Sequence, residues 1–111
     1  AGDALILGSN NTAVGKDALS AAQGDRFNVA IGFEALKVFN TGTSVNDTEN
    51  TAVGGRCGLR VTTGAANTLF GATSGDDITT GSDNTAVGAN AGEDLVGGSK
   101  NLWSQCASIY K

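Results

Sequence analysis

Two pairs of acids stand 17 residues apart in equivalent places of neighbouring sequence units: Asp76-Asp77 and Glu93-Asp94. Paired carboxylates can serve as general acid and base on a glycosidic bond, or as oxygen ligands for Ca²⁺. No cleft is evident around them. Like charges one strand spacing apart read more simply as a solvated edge that discourages further stacking. That reading is preferred, with Asp76, Asp77, Glu93 and Asp94 kept as an alternative Ca²⁺ site and no other metal or cofactor expected. The rest of the reactive inventory is thin. The chain has no His, which excludes His-based catalysis and His-ligated zinc or haem. Its two cysteines, Cys57 and Cys106, lack the CxxC spacing of a thiolate site. No catalytic residue is expected, and the chain does not read as an enzyme.

The units that carry these acids repeat along the chain. Asn11-Thr12-Ala13-Val14-Gly15 returns as Asn28-Val29-Ala30-Ile31-Gly32, Asn50-Thr51-Ala52-Val53-Gly54, Asn67-Thr68-Leu69-Phe70-Gly71 and Asn84-Thr85-Ala86-Val87-Gly88. Successive starts are 17, 22, 17 and 17 residues apart. A degenerate copy follows at Asn101, and Ala4-Leu5-Ile6-Leu7-Gly8 resembles a first one. Seven residues after each Asn comes a small side chain: Ala18, Ala35, Cys57, Ser74, Ala91. Eleven after it comes an apolar one: Ala22, Phe39, Val61, Ile78, Leu95. A glycine near the end of each unit (Gly24, Gly42, Gly64, Gly81, Gly98) is expected to supply a turn where positive φ is cheap.

A unit this short cannot bury its own apolar face and must stack on its neighbours. The expected fold is all-β: a repetitive β-solenoid, or β-roll, of about six stacked 17-residue coils spanning 1–111 as one module. Every phase then becomes a column. Asn11, Asn28, Asn50, Asn67, Asn84 and Asn101 form a ladder at one corner, where stacked amides can hydrogen-bond along the axis. The composition agrees, with 17 Gly, no Pro and few large apolar residues to fill a thick core. Cys57 reads as a small buried hydrophobe, three coils from Cys106 and too far for a disulfide.

Alternation along each strand puts Ala on one side and the Thr and Val positions on the other. Both faces carry apolar groups, and a strand apolar on both sides is buried on both. One face closes the interior. The other, with Val14, Ile31, Val53, Phe70 and Val87, needs a cover, for which self-association about the long axis is the cheapest.

These repeats, with Ala18-Leu19 and Ala35-Leu36 following them, resemble those of trimeric bacteriophage tail fibres. They are also similar to the Ala-Ile-Gly repeats in the left-handed β-roll heads of trimeric autotransporter adhesins, although the unit here is longer. The resemblance covers residues 4 to about 105 and implies a parallel homotrimer, extracellular on a virion tail fibre or cell surface. It also implies a structural or host-attachment role, as shaft or receptor-binding part.

Charge and hydropathy narrow the partners. The net charge is -4 and no run of Lys or Arg could track a phosphate backbone, so nucleic acid is not an expected partner. No stretch approaches the roughly 20 apolar residues of a membrane span. Recognition of a cell-surface glycan or protein receptor is expected where the repeat breaks. The insertion Thr43, Ser44, Val45, Asn46 and Asp47 lengthens one unit and is expected to loop out. Residues 102–111 bring Leu102, Trp103, Ile109 and Tyr110 as a cap or a junction. A second function class is ice binding, through a column of Thr12, Thr51, Thr68 and Thr85 and the Thr62-Thr63 and Thr79-Thr80 pairs; Val29 interrupts that column and Leu102 ends it.

Overall fold

The computed structural model describes residues 1–3, 8–92 and 96–104, and those residues form a β-solenoid with no helix. The strands are β1 (Thr12–Val14), β2 (Asp25–Arg26), β3 (Val29–Ile31), β4 (Asn46–Asp47), β5 (Thr51–Val53), β6 (Thr68–Phe70), β7 (Thr85–Val87) and β8 (Leu102–Ser104). The long sheet is wholly parallel in the order β1-β3-β5-β6-β7-β8, and β2 pairs with β4 in a second, two-stranded sheet. Register follows the repeat: Ala13 pairs with Ala30, Ala30 with Ala52, Ala52 with Leu69, and Leu69 with Ala86. About four turns are closed, against the six expected. The repeat start near residue 4 and the chain from 105 onward, with Cys106, Ile109 and Tyr110, lie outside the described residues.

Each strand of the long sheet is three residues long because left-handed backbone brackets it. The residue before each Asn has positive φ whatever its type: Asn10, Phe27, Glu49, Ala66, Asp83 and Lys100. The glycine after each strand (Gly15, Gly32, Gly54, Gly71, Gly88) has φ between 117° and 137°, a conformation open to little but glycine. A Cβ on Gly15, Gly32, Gly54 or Gly71 would stand 2.5 to 2.7 Å from the carbonyl oxygen of the next glycine in the column.

The glycines at the far end of the unit correct the expectation made of them. Of these, Gly42 has positive φ, while Gly24, Gly64 and Gly81 do not. Their small size serves close stacking instead. A Cβ would meet Ser44 O at 2.1 Å from Gly24, Gly81 O at 2.0 Å from Gly64 and Gly98 O at 2.0 Å from Gly81.

Inside, four columns make the core. Ala30, Ala52, Leu69 and Ala86 point in from the strands; Ala18, Ala35, Cys57, Ser74 and Ala91 follow the first turn; Ala22, Phe39, Val61 and Ile78 line the far wall. The fourth column runs Leu19, Leu36, Gly58, Gly75, all with φ between 49° and 61°. Where it changes from leucine to glycine, the strand column changes from alanine to Leu69. A Cβ on Gly58 would lie 2.9 Å from Leu69 Cδ1, and one on Gly75 2.7 Å from Leu69 Cδ2. One leucine entering from the strand thus fills the volume beside two glycines, keeping the interior at the density cores require.

Candidate functional site

Asn11, Asn28, Asn50, Asn67, Asn84 and Asn101 form a continuous hydrogen-bonded ladder. The Asn28 N–H donates to Asn11 Oδ1 at 2.8 Å, Asn50 N–H to Asn28 Oδ1 at 2.9 Å, Asn67 N–H to Asn50 Oδ1 at 2.9 Å, Asn84 N–H to Asn67 Oδ1 at 3.1 Å and Asn101 N–H to Asn84 Oδ1 at 3.0 Å. The amide nitrogens tie each corner to its own coil: Asn50 Nδ2 donates to Gly64 O, Asn67 Nδ2 to Gly81 O and Asn84 Nδ2 to Gly98 O. Asn28, Asn50, Asn67 and Asn84 are wholly buried, so no amide at these four positions is offered to a ligand.

The outward face of the long sheet carries a row of exposed apolar side chains. Val14 (55% exposed), Ile31, Val53, Phe70 (54%) and Val87 (47%) form one column, with Val53 half-buried. Thr12, Val29, Thr51, Thr68, Thr85 and Leu102 form the column beside it, in strand register. These side chains stand on strands paired in parallel register, so the two columns run regularly along the stack. The second threonine set is spent differently: Thr62 Oγ1 donates to Thr79 O and Thr79 Oγ1 to Val96 O, one coil on.

Two rims flank this face, neither marked by a repeated residue type. One is the left-handed residue before each Asn; the other is the residue after each strand-ending glycine. In the coil from Asn28 both rims are aromatic, Phe27 and Phe33, and both rings are exposed. Arg26 lies over the Phe27 ring at 5.4 Å and Arg56 over the Phe33 ring at 5.7 Å, within cation–π range. Arg56 Nε donates to Glu34 Oε2 at 3.2 Å and Lys37 Nζ to Glu34 Oε1 at 2.7 Å. The Lys37 hydrogen bond draws the Glu34 carboxyl below its ordinary range, and Glu34 in turn holds Lys37 above its own. Aligning the repeats by phase would have exposed these rims, since phenylalanine stands where other coils carry small or charged residues.

The insertion departs in part from the expected loop. Thr43, Ser44 and Val45 are exposed, but Asn46 and Asp47 rejoin the wall as β4, paired with Asp25 and Arg26. Pairing resumes early because β2 offers free backbone groups: Asn46 N–H donates to Gly24 O and Thr48 N–H to Arg26 O. Beneath the loop, the wholly buried Asp25 carboxylate accepts hydrogen bonds from the Thr41 N–H at 3.3 Å and from the Thr41 hydroxyl. Asn46 Nδ2 donates to the same hydroxyl at 2.9 Å. Outside, Arg26 Nε donates to Asp47 Oδ1 at 2.8 Å.

The remaining reactive groups are structural. Asp77 is paired with Arg60, while Glu93 and Asp94 lie outside the described residues. No group of three or more His, Cys, Asp or Glu side chains is gathered for a metal ion among the described residues. Cys57 is a buried free thiol whose Sγ–H donates to Leu69 O at 3.3 Å, and burial pushes it up to about 12. Such a thiol is no nucleophile near neutral pH. No protein-family model, curated protein or solved structure matches the chain.

Proposed function

We propose that the chain is a structural or adhesive module of an extracellular fibre, with about six coils, assembled as a parallel homotrimer around the outward face of its long sheet. It would serve as shaft or receptor-binding part of a virion tail fibre or a bacterial surface adhesin. The supporting observation is the apolar column of exposed Val14, Ile31, Phe70 and Val87 with the half-buried Val53 among them, which a lone chain leaves against water. Contiguous apolar surface of this kind marks a protein contact.

The dimensions favour three copies. Between the rims the face is seven residues across, about 20 Å at about 3.3 Å per residue. Three such faces closing a prism would stand about 6 Å from the axis, close to half the roughly 10 Å that separates packed sheets. Four would stand about 10 Å away and leave the axis hollow. In the assembled fibre the exposed Thr43, Ser44 and Val45 would remain outside, where a cell-surface glycan or protein receptor could reach them. Light scattering tests the assembly: three times the chain mass is expected, and a monomer at micromolar concentration would remove the reading.

Ice binding is the second reading, favoured by the outward column of Thr12, Thr51, Thr68 and Thr85. Against it, Val29 interrupts the column, the neighbouring column is apolar, and Thr62 and Thr79 spend their hydroxyls within the stack. Thermal hysteresis in a monomeric sample would restore it.

A further inference from the structure

We infer that the self-association proposed above, on which this rests, draws most of its affinity from one coil, the one that starts at Asn28. Its grip is a band of Phe27, Val29, Ile31 and Phe33 laid across the outward face. The four residues alternate along the chain, with Phe27, Ile31 and Phe33 exposed and Val29 half-buried. Lys16, Glu49, Thr68 and Asp83 break the corresponding row in the coils from Asn11, Asn50, Asn67 and Asn84. Ile31 also belongs to the axial column, in strand register with Val14 on one side and Val53 on the other. The band and the column therefore cross at Ile31, where apolar side chains adjoin in both directions.

Two features suit the band to burial against a second copy. Its ends carry no unpaired charge: Arg26 lies over Phe27 and pairs with Asp47, while Arg56 of the following coil reaches back over Phe33 and pairs with Glu34. Covering the rings thus leaves no lone charge to desolvate. A rotation axis along the stack also returns every coil to its own level, so the bands of three copies form one apolar layer. The area of the face makes such a layer necessary. Six strands about 4.8 Å apart and about 20 Å across offer about 600 Å² per copy, below the roughly 800 Å² that each partner gives a standard contact. On a small face, affinity concentrates in a few large side chains ringed by others that exclude water. Phe27 and Phe33 stand in such a ring. Phe70 is more exposed than either, but its own coil sets only Ala66, Thr68 and Ala72 beside it.

Light scattering across a dilution series of the full chain tests this against that contrast. Phe27→Asn with Phe33→Ala removes the band using residues other coils already carry, since Asn10 holds the same left-handed backbone and Ala72 follows its strand-ending glycine. The double variant should raise the concentration at which the assembly falls to single chains by at least about 30-fold, and Phe70→Val by less than about 10-fold. Far-ultraviolet circular dichroism should be unchanged in both. Phe33→Ala alone leaves the left-handed position at 27 untouched and should shift the same midpoint by at least about 5-fold, which carries the test if the double variant does not fold. An equal or larger shift from Phe70→Val would overturn the assignment to this coil and leave self-association standing. An assembly that none of the variants weakens would overturn it too and move the contact off the outward face, and a parent chain that is monomeric at micromolar concentration would overturn both readings.

Discussion

In the coil from Asn50 the buried corner amide donates to the Gly64 carbonyl at 2.9 Å, whereas in the coil from Asn28 it donates to the Thr48 hydroxyl at 2.7 Å. The first coil has the 17-residue repeat and the second has 22. Both nevertheless hand an Asn oxygen to the next Asn N–H at 2.9 Å. The stack therefore constrains the hydrogen-bond phase at the corner and leaves the length of chain between corners free. Where length varies, one threonine side chain replaces a backbone carbonyl, and the surplus residues become exposed surface beside a buried Asp25-Thr41-Asn46 network. Two glycines separate these regimes most sharply. Gly42 and Gly54 both have positive φ, but nothing lies within 4 Å of a Cβ built on Gly42, while one on Gly54 meets the Gly71 backbone at 2.6 Å. Gly42→Ala should cost only backbone strain, about 1–3 kcal/mol. Gly54→Ala adds a clash with backbone fixed by its own ladder and should exceed about 3 kcal/mol. Urea midpoints from far-ultraviolet circular dichroism measure both, and equal losses would show the longer coil to be as tightly constrained as the regular one.

The asparagines test the same contrast at the corner. Asn50→Ala strands the Gly64 carbonyl and the Asn67 N–H in a dry interior, and at about 1–3 kcal/mol for each lost partner it should cost about 2–5 kcal/mol. Asn28→Ala should cost less. Thr48 keeps its own bond to Arg26 O at 3.2 Å, so the Asn50 N–H is the main group stranded, about 1–3 kcal/mol. Denaturant titration of the two variants gives the order, and a reversal would place the main support of the corner in the insertion.

The small-residue column makes a third, pH-dependent test. Cys57 and Ser74 occupy one phase and bond alike: Cys57 Sγ to Leu69 O at 3.3 Å, Ser74 Oγ to Ala86 O at 3.0 Å. Burial moves the Cys57 thiol from its ordinary value of 9.0 to about 12. In that interval the folded chain keeps a proton that the unfolded chain has released, so the unfolded state binds fewer protons and stability falls as pH rises. The contribution is complete well below about pH 9 and declines by about 1.4 kcal/mol per unit from there to about pH 12. Cys57→Ser should keep the fold, since Ser74 already occupies this phase, and should remove this part of the alkaline loss. Thermal unfolding between pH 8 and 11 for both chains checks it.

How much was legible beforehand depended on whether a residue acts through its column or through its neighbours. Ala30, Ala52, Leu69 and the buried asparagines could be placed by phase because each repeats at one depth in every coil, and the parallel register follows from that. The left-handed residue before each Asn was missed because its type changes from Phe27 to Glu49 to Ala66; the backbone demands the conformation while the side chain, facing outward, is free to vary. Gly24, Gly64 and Gly81 were assigned a turn conformation when their need is space, a distinction that depends on the neighbouring coil's carbonyl. The Asp25-Thr41-Asn46 network was out of reach for a related reason. Its members belong to three different phases and meet only because β4 re-enters the wall before the next Asn.

The smallest expected effect lies on the outside of that same corner. Arg26 and Asp47 are joined by two short contacts, 2.8 Å from Nε and 2.5 Å from the terminal nitrogen, which looks strong by geometry alone. Yet their side chains are 33% and 50% exposed, so water and salt screen the attraction and ordering two flexible side chains offsets much of it. β4 is also held by backbone bonds that a side-chain change leaves intact, and Arg26 keeps its place over Phe27. Asp47→Ala should therefore lower stability by less than about 1 kcal/mol, with the difference from the parent chain nearly gone in about 1 M salt. A larger loss that persists in salt would mean that the ion pair positions β4, and that the longer coil depends on its surface in a way the regular coils do not.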